Sequence, residues 1–134
     1  MKHEIFFSNI KNVGNLYLDY VLFEFENEPL LFTCVDSNNK LYFCHCYKLI
    51  YEQKWFVVPI SIDKLKKLLS GNMDIRTIIL SSSFVLDITR SANGEEESRW
   101  TSVDNVCEKD LPLSGTLVEC DKGDATSYIN KKLL

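Results

Sequence analysis

The chain has 134 residues, with 15 lysines and arginines against 19 aspartates and glutamates, so its formal net charge is −4. This length favours one domain. A hydrophobic fraction of 46% with 25% charged residues is typical of a globular protein and excludes a disordered chain. The acidic balance argues against direct binding of nucleic acid, because dedicated nucleic-acid-binding domains normally carry a surplus of basic residues.

Nothing in the sequence indicates a membrane segment or an exported protein. No apolar run approaches the roughly 20 residues that a transmembrane helix needs. The short apolar cluster at residues 5–7 is interrupted by Ser8 and Asn9 before the apolar core of a signal peptide could form. The 5 cysteines are an odd number in a chain without a secretory signal, which favours reduced thiols. We therefore expect a cytoplasmic domain.

The first half of the chain has the pattern of β-structure. Over residues 16–25 the odd positions form a mostly apolar face that Asp19 interrupts, and this period of two predicts a strand with one buried face. A continuous apolar run at 30–35 predicts a central strand, and the polar residues 36–40 predict a turn. Further strands are predicted at 41–47 and 55–58.

The middle of the chain changes to a helical period. Ser61 is a suitable N-cap, and Gly71 stands where a left-handed C-terminal cap is expected. Asp74 would cap a second, shorter helix that runs to Ile79. The apolar residues of the first helix recur at helical spacing; they are Ile62, Leu65, Leu68 and Leu69.

Strands return in the last part of the chain. We predict strands at 84–89, at 99–106 and at 116–118. Residues 121–134 are expected to form a polar, loosely ordered C-terminal tail, with docking of Tyr128 and Ile129 as the alternative. The order of elements predicts one α+β domain over residues 1–120. Its core would be a mainly antiparallel sheet of about five to seven strands, with a short helical pair inserted after the first strands.

Several segments occur in the order of a known family. They are EPLLFTCVD at 28–36, Leu41-Tyr42, Trp55 with VPIS at 58–61, and Leu65, Leu68, Gly71 and Arg76, with Leu111-Pro112 and Gly115 later. This pattern resembles an uncharacterised prokaryotic domain family of unknown function with PLLF-C-D, W-x-x-PIS and L-x-x-L-x-x-G segments. Ile75 departs from it, since leucine is expected there. The resemblance implies an α+β fold and a bacterial or phage source, and it supplies no catalytic residues.

The densest group of metal-binding residue types is Cys44-His45-Cys46. On a strand the two thiols share one face and the imidazole points to the other. A zinc site needs four converging ligands, usually from two Cys-x2-Cys pairs, and the chain has no second pair. A metal site assembled from Cys44, Cys46 and distant cysteines is an alternative, but thiols buried in a core strand are the simpler interpretation. We predict no metal and no cofactor.

Candidate catalytic groups are equally sparse. The only histidines are His3 and His45, so no Cys–His or Ser–His pair is recognisable. Glu24 and Glu26 would lie on the same strand face and could form an acid–base pair, although a solvated strand end explains them better. Three lysines at 64, 66 and 67 match the solvent face of a helix. The protein is therefore predicted to be non-enzymatic.

The charge is unevenly distributed along the chain. Residues 1–90 carry 10 acidic and 10 basic side chains, whereas residues 91–134 carry nine acidic and five basic ones. A one-sided acidic field promotes encounter with a basic partner, and Trp and Arg are favoured at binding hot spots. The candidate partner-binding residues are Glu95, Glu96, Glu97, Trp100, Asp104, Glu108 and Asp110.

These observations favour an acidic protein that neutralises a basic protein partner. The specific hypothesis is a bacterial immunity protein or antitoxin that blocks a nuclease toxin, because nuclease active sites are basic in order to hold phosphates. One alternative is a phage-encoded inhibitor of a bacterial defence complex. Others are a small metal- or thiol-dependent enzyme and a regulatory module that binds a small ligand.

Overall fold

A single antiparallel sheet is the framework of the protein. The computed structural model describes residues 4–134, and in that range seven strands lie side by side in chain order. This confirms the predicted mainly antiparallel α+β fold. The strands are β1 (Ile5–Ile10), β2 (Gly14–Phe25), β3 (Glu28–Val35), β4 (Leu41–Lys48), β5 (Gln53–Pro59), β6 (Phe84–Arg90) and β7 (Glu96–Ser102).

The helices lie in two places along the chain. Helices α1 (Ile62–Leu69) and α2 (Ile75–Ile79) connect β5 to β6, and α3 (Lys122–Lys132) follows the last strand. The predicted insertion of a helical pair after the first strands does not match this arrangement, because five strands precede α1 and a third helix is present. The caps are as predicted: Ser61 accepts from the Lys64 amide, and Asp74 accepts from the Thr77 amide.

The segment predicted as a loosely ordered tail contains α3. Asp121 caps this helix, and its buried residues Ala125, Tyr128 and Ile129 pack on the core. The Tyr128 hydroxyl lies 2.7 Å from the Thr33 hydroxyl and donates to Asp19, which also accepts from Lys132 at 2.6 Å. The prediction was wrong because three apolar residues in a polar segment give little amphipathic signal, whereas the sheet supplies both an apolar surface and buried hydrogen-bond partners.

Both faces of the sheet are covered. On one face the helices pack on a cluster that includes Phe43, Val58 and Val85. On the other face Phe7 of β1 joins a second cluster around Trp55. The sheet curls enough for β1 to approach the far strands, since Arg90 of β6 donates to the carbonyl of Phe6 at 2.5 Å.

Strand β2 departs from simple alternation. Its register with β3 shifts between Leu18 and Tyr20, and again between Val21 and Phe23. Leu18 and Val21 therefore pack in the Trp55 cluster, whereas Tyr20 packs on the helix side. The single apolar face predicted from odd positions is wrong, because each irregularity adds a residue and reverses the alternation after it.

Other boundaries differ from the expectation near the end of the chain. Strand β7 begins at Glu96 and gives way after Ser102 to short 3-10 turns at Val103–Asn105 and Glu108–Asp110. The strand predicted at 116–118 is not formed, although Val118 is buried and the Thr116 carbonyl accepts from the Ile75 amide. Among the described residues, no helix has the length and apolar character needed to cross a membrane.

Candidate functional site

Strand β7 carries three of the candidate partner-binding residues, Glu96, Glu97 and Trp100, together with the neighbouring Arg99. Their side chains are divided between the two faces of the sheet. Glu96 lies opposite Arg90, and Trp100 lies opposite Leu86, on the side of the Trp55 cluster. Glu97 and Arg99 lie opposite Thr89 and Asp87 on the helix side of the sheet. Because side chains alternate along a strand, Glu96 and Glu97 face different surroundings even though they are neighbours in sequence.

The Glu96 side chain is largely buried and forms an ion pair. Its carboxylate accepts from Arg90 Nη2 at 2.8 Å and from the Ser8 amide at 3.2 Å, and only 18% of its side chain is exposed. A carboxylate with two internal donors has little capacity left for a partner. Glu96 therefore acts mainly as a structural link between β1, β6 and β7.

Glu97 lines a polar groove of about 640 Å³ on the helix side of β5, β6 and β7. Tyr47 stacks on Phe56 with ring centroids 4.0 Å apart and donates at 2.7 Å to Asp87, which lines the groove. Burial, reinforced by Asp87, raises the pKa of the Tyr47 hydroxyl well above its ordinary value, so it remains a donor. The groove is lined by Glu52, Lys54, Asp87, Thr89, Glu97, Ser98 and Arg99.

The remaining candidates lie in the segment after β7, and each has a different environment. Asp104 is exposed, and its own amide is capped by the Ser102 hydroxyl. Glu108 forms an ion pair with Arg76, which also donates to the Pro112 carbonyl. Asp110 is half-buried, and its charge is close enough to contribute to the raised pKa of Tyr47.

The structure thus brings Asp110 near the Tyr47 hydroxyl and Glu97 into the polar groove, but it does not gather all seven candidates into one patch. Glu95 is exposed in the turn before β7. Glu95, Glu97 and Asp104 have no ion-pair partner within 4.0 Å among residues 4–134. These three carboxylates therefore keep their charge unpaired within the described part of the chain.

Sequence reasoning missed three residues that shape the polar groove: Tyr47, Lys54 and Asp87. Asp87 had a recognisable signal, because it is the single charged residue within the apolar strand 84–89. Lys54 had none, since its ion pair with Glu52, at 3.7 Å, depends on how β4 turns into β5.

The thiol and imidazole groups do not converge. Cys44 and Cys46 lie in the Trp55 cluster, and burial raises the pKa of both thiols. His45 is in register with Leu31 and Phe56 on the helix side, as predicted from alternation. Burial lowers its pKa to about 4. No group of three histidine, cysteine, aspartate or glutamate side chains in the described part of the chain is placed to hold a metal ion.

The other candidate groups are separate from the groove. Glu24 and Glu26 are both exposed, and Glu26 lies in the turn that follows β2 with φ at 50°. They are not positioned within a pocket around β7. His3 lies outside the described residues.

No family model matches this chain, and no curated protein or solved structure matches it. The resemblance carried by segments 28–36, 55–61 and 65–71 stays a prediction.

Proposed function

We propose that the protein is a non-enzymatic binding protein that neutralises a basic protein partner, in the manner of an immunity protein that blocks a nuclease toxin. The observation that supports this most directly is a set of three exposed carboxylates on β7 and in the segments that flank it, none of which forms an ion pair within residues 4–134. Glu95, Glu97 and Asp104 are exposed, and no cation of the described residues forms an ion pair with them. Such charges retain their attraction for cations on another protein.

An exposed aromatic side chain lies on the same strand. Trp100 retains 37% of its accessible surface, whereas Trp55 is fully buried. Tryptophan at a protein interface supplies a large contact area at low entropic cost and is enriched among hot spots. A strand that presents Trp100 on one face and Glu97 on the other suits a partner segment that is basic and partly apolar.

The biological form of the proposal follows from the chemistry of nucleases. Their active sites concentrate lysine and arginine to bind phosphates, so an acidic protein competes with nucleic acid for the same positive field. The acidic residues would cover the entrance without any chemistry of their own. Inhibition would then weaken as salt concentration rises.

The experiment compares two variants with the same change in charge. Glu95→Lys/Glu97→Lys reverses two unpaired carboxylates beside β7, and Glu24→Lys/Glu26→Lys reverses two exposed carboxylates at the far end of β2. Partners are captured from an extract of the source cells at low salt, and each captured protein is assayed for nuclease activity with and without the wild-type protein. Inhibition should be weakened by at least about tenfold in the first variant only.

Two results would contradict the proposal. In the first, no captured protein is basic, or none has nuclease activity that the wild-type protein inhibits. In the second, both double variants inhibit as well as the wild type and with the same salt dependence. Either result would show that the acidic surface around β7 does not act on a nuclease.

A further inference from the structure

Strand β7 is the last strand of the sheet, so one of its edges is paired with no other strand among residues 4–134. The first strand comes near this edge, but they meet through a side chain: Glu96 Oε1 accepts from the Ser8 amide. Past this contact the edge is open, since Ser98 is exposed and Trp100 retains 37% of its surface.

The pairing with β6 identifies which backbone groups point outward. The Ser91 amide donates to the Glu95 carbonyl, and at the other end the Val103 amide donates to the Ser83 carbonyl. Odd-numbered residues of β7 therefore make the hydrogen bonds to β6, because bonded pairs alternate along an antiparallel ladder. Consequently Ser98 and Trp100 direct their amide and carbonyl groups away from the sheet.

The side chains that flank this edge differ between its two faces. On the helix side are Glu97 and Arg99, with Glu97 unpaired in the part of the chain that the structure describes. On the other side is Trp100. A strand added here would have one row of side chains beside Glu97 and the other beside Trp100, and opposite charges and aromatic–aliphatic pairs are the favourable cross-strand neighbours.

From this edge we infer that β7 binds its partner by strand addition, and that the added segment is extended and alternates basic with apolar residues. Its backbone pairs with the outward groups of Ser98 and Trp100. Its basic side chains lie beside Glu97, and its apolar side chains pack on Trp100. Strand addition derives affinity from main-chain hydrogen bonds and specificity from the alternating side chains. The inference rests on the proposed function, because it assumes that the partner is basic.

The test uses a capped hexapeptide of alternating lysine and valine, with a glutamate–valine hexapeptide as the matched control. Binding to the full chain is followed by NMR, which reports hydrogen exchange at the Ser98 and Trp100 amides. We expect the lysine peptide to slow exchange at these two amides and the glutamate peptide to leave them unchanged.

Two variants distinguish the contribution of the backbone hydrogen bonds to peptide binding from the contribution of the Glu97 charge. Ser98→Pro removes an outward amide without removing a bond to β6, as proline is tolerated on that side of an edge strand, and Ser98→Ala is its control. Proline should weaken lysine-peptide binding about tenfold relative to alanine. Glu97→Lys should reverse the preference so that the glutamate peptide binds better, and this variant stays informative if Ser98→Pro alters the fold.

The outcomes distinguish the inference from the proposed function. Salt-sensitive binding of the lysine peptide without protection of Ser98 and Trp100 overturns strand addition but supports an acidic binding surface. If the lysine peptide slows exchange at Ser98 and Trp100 equally at low and high salt, and equally in the Glu97→Lys variant, the electrostatic function is overturned. Absence of binding by both peptides overturns strand addition. A dimer that Ser98→Pro converts to a monomer also overturns it, because a second copy would then occupy the edge.

Discussion

Replacing Arg90 with methionine should destabilise the protein by disconnecting β1 from the far strands. Arg90 donates to Glu96 at 2.8 and 3.1 Å and to the Phe6 carbonyl at 2.5 Å. Its guanidinium carbon lies 5.0 Å from the Trp55 ring and 5.2 Å from the Phe6 ring. One side chain thus joins its own strand β6 to β1, β5 and β7 on the side of the sheet that contains Trp55.

The expected loss can be estimated from these contacts. The cation–π contacts contribute about 1 kcal/mol at a partly exposed site. Glu96, with 18% of its side chain exposed, would lose its charged partner at a cost of about 2 kcal/mol. We expect Arg90→Met to lower the free energy of unfolding by about 3 kcal/mol. Arg90→Lys should lose about half as much, because lysine keeps the charge without the planar fork.

Urea denaturation followed by circular dichroism measures this loss, and hydrogen exchange at the Ser8 amide reports whether β1 separates first. Arg99→Met is the matched control, since Arg99 is exposed and has no ion pair among residues 4–134. The control should stay within about 0.5 kcal/mol of the wild type. A loss of under about 0.5 kcal/mol for Arg90→Met would refute the reasoning that this side chain closes the sheet.

Three further predictions concern buried or capping groups. Because the pKa of His45 is lowered to about 4 by burial, the unfolded chain binds more protons between about pH 6.5 and 4. Wild-type stability should therefore fall across this window by up to about 3 kcal/mol relative to His45→Gln, as measured by urea denaturation at each pH. Tyr128→Phe removes the hydroxyl that donates to Asp19 and should cost about 2 kcal/mol in the same assay; an unchanged midpoint would show that this hydroxyl does not help to hold α3 on the sheet. Asp74→Ala removes the cap of α2 and the acceptor for the Gly115 amide, at 2.6 Å, and should lower thermal stability by the equivalent of about 1 to 2 kcal/mol; a loss near zero would contradict the capping role.

Local sequence signals predicted the helical region well. Ser61 and Asp74 cap α1 and α2, and Gly71 follows α1 with φ at 79°, in the left-handed region. These outcomes were predictable because a cap is determined by one side chain and the backbone within a few residues of it. Helix α3 was not, because the hydrogen bonds of its Tyr128 hydroxyl are to Thr33 and Asp19, which are about 100 residues away along the chain.

The sequence predicted the acidic composition of the candidate site, but it did not predict how the carboxylates are arranged and paired. Glu95, Glu97 and Asp104 are exposed, in keeping with an acidic surface, but Glu96 is paired with Arg90 and Glu108 with Arg76. Which carboxylate finds an arginine depends on which strands and turns are brought together. No count of charges along the chain contains that information.

The sequence by itself determined the class of fold, the alternation that separates Cys44 from His45, and the acidic surplus of residues 91–134. Each of these depends on residue type and on spacing within one element. Only the tertiary structure decided that the irregularity at Asp19 turns this carboxylate toward Tyr128 of α3, and that Arg90 closes the sheet. The physical reason is the same in both cases: the stabilising partner is distant in sequence, and folding brings the two groups together.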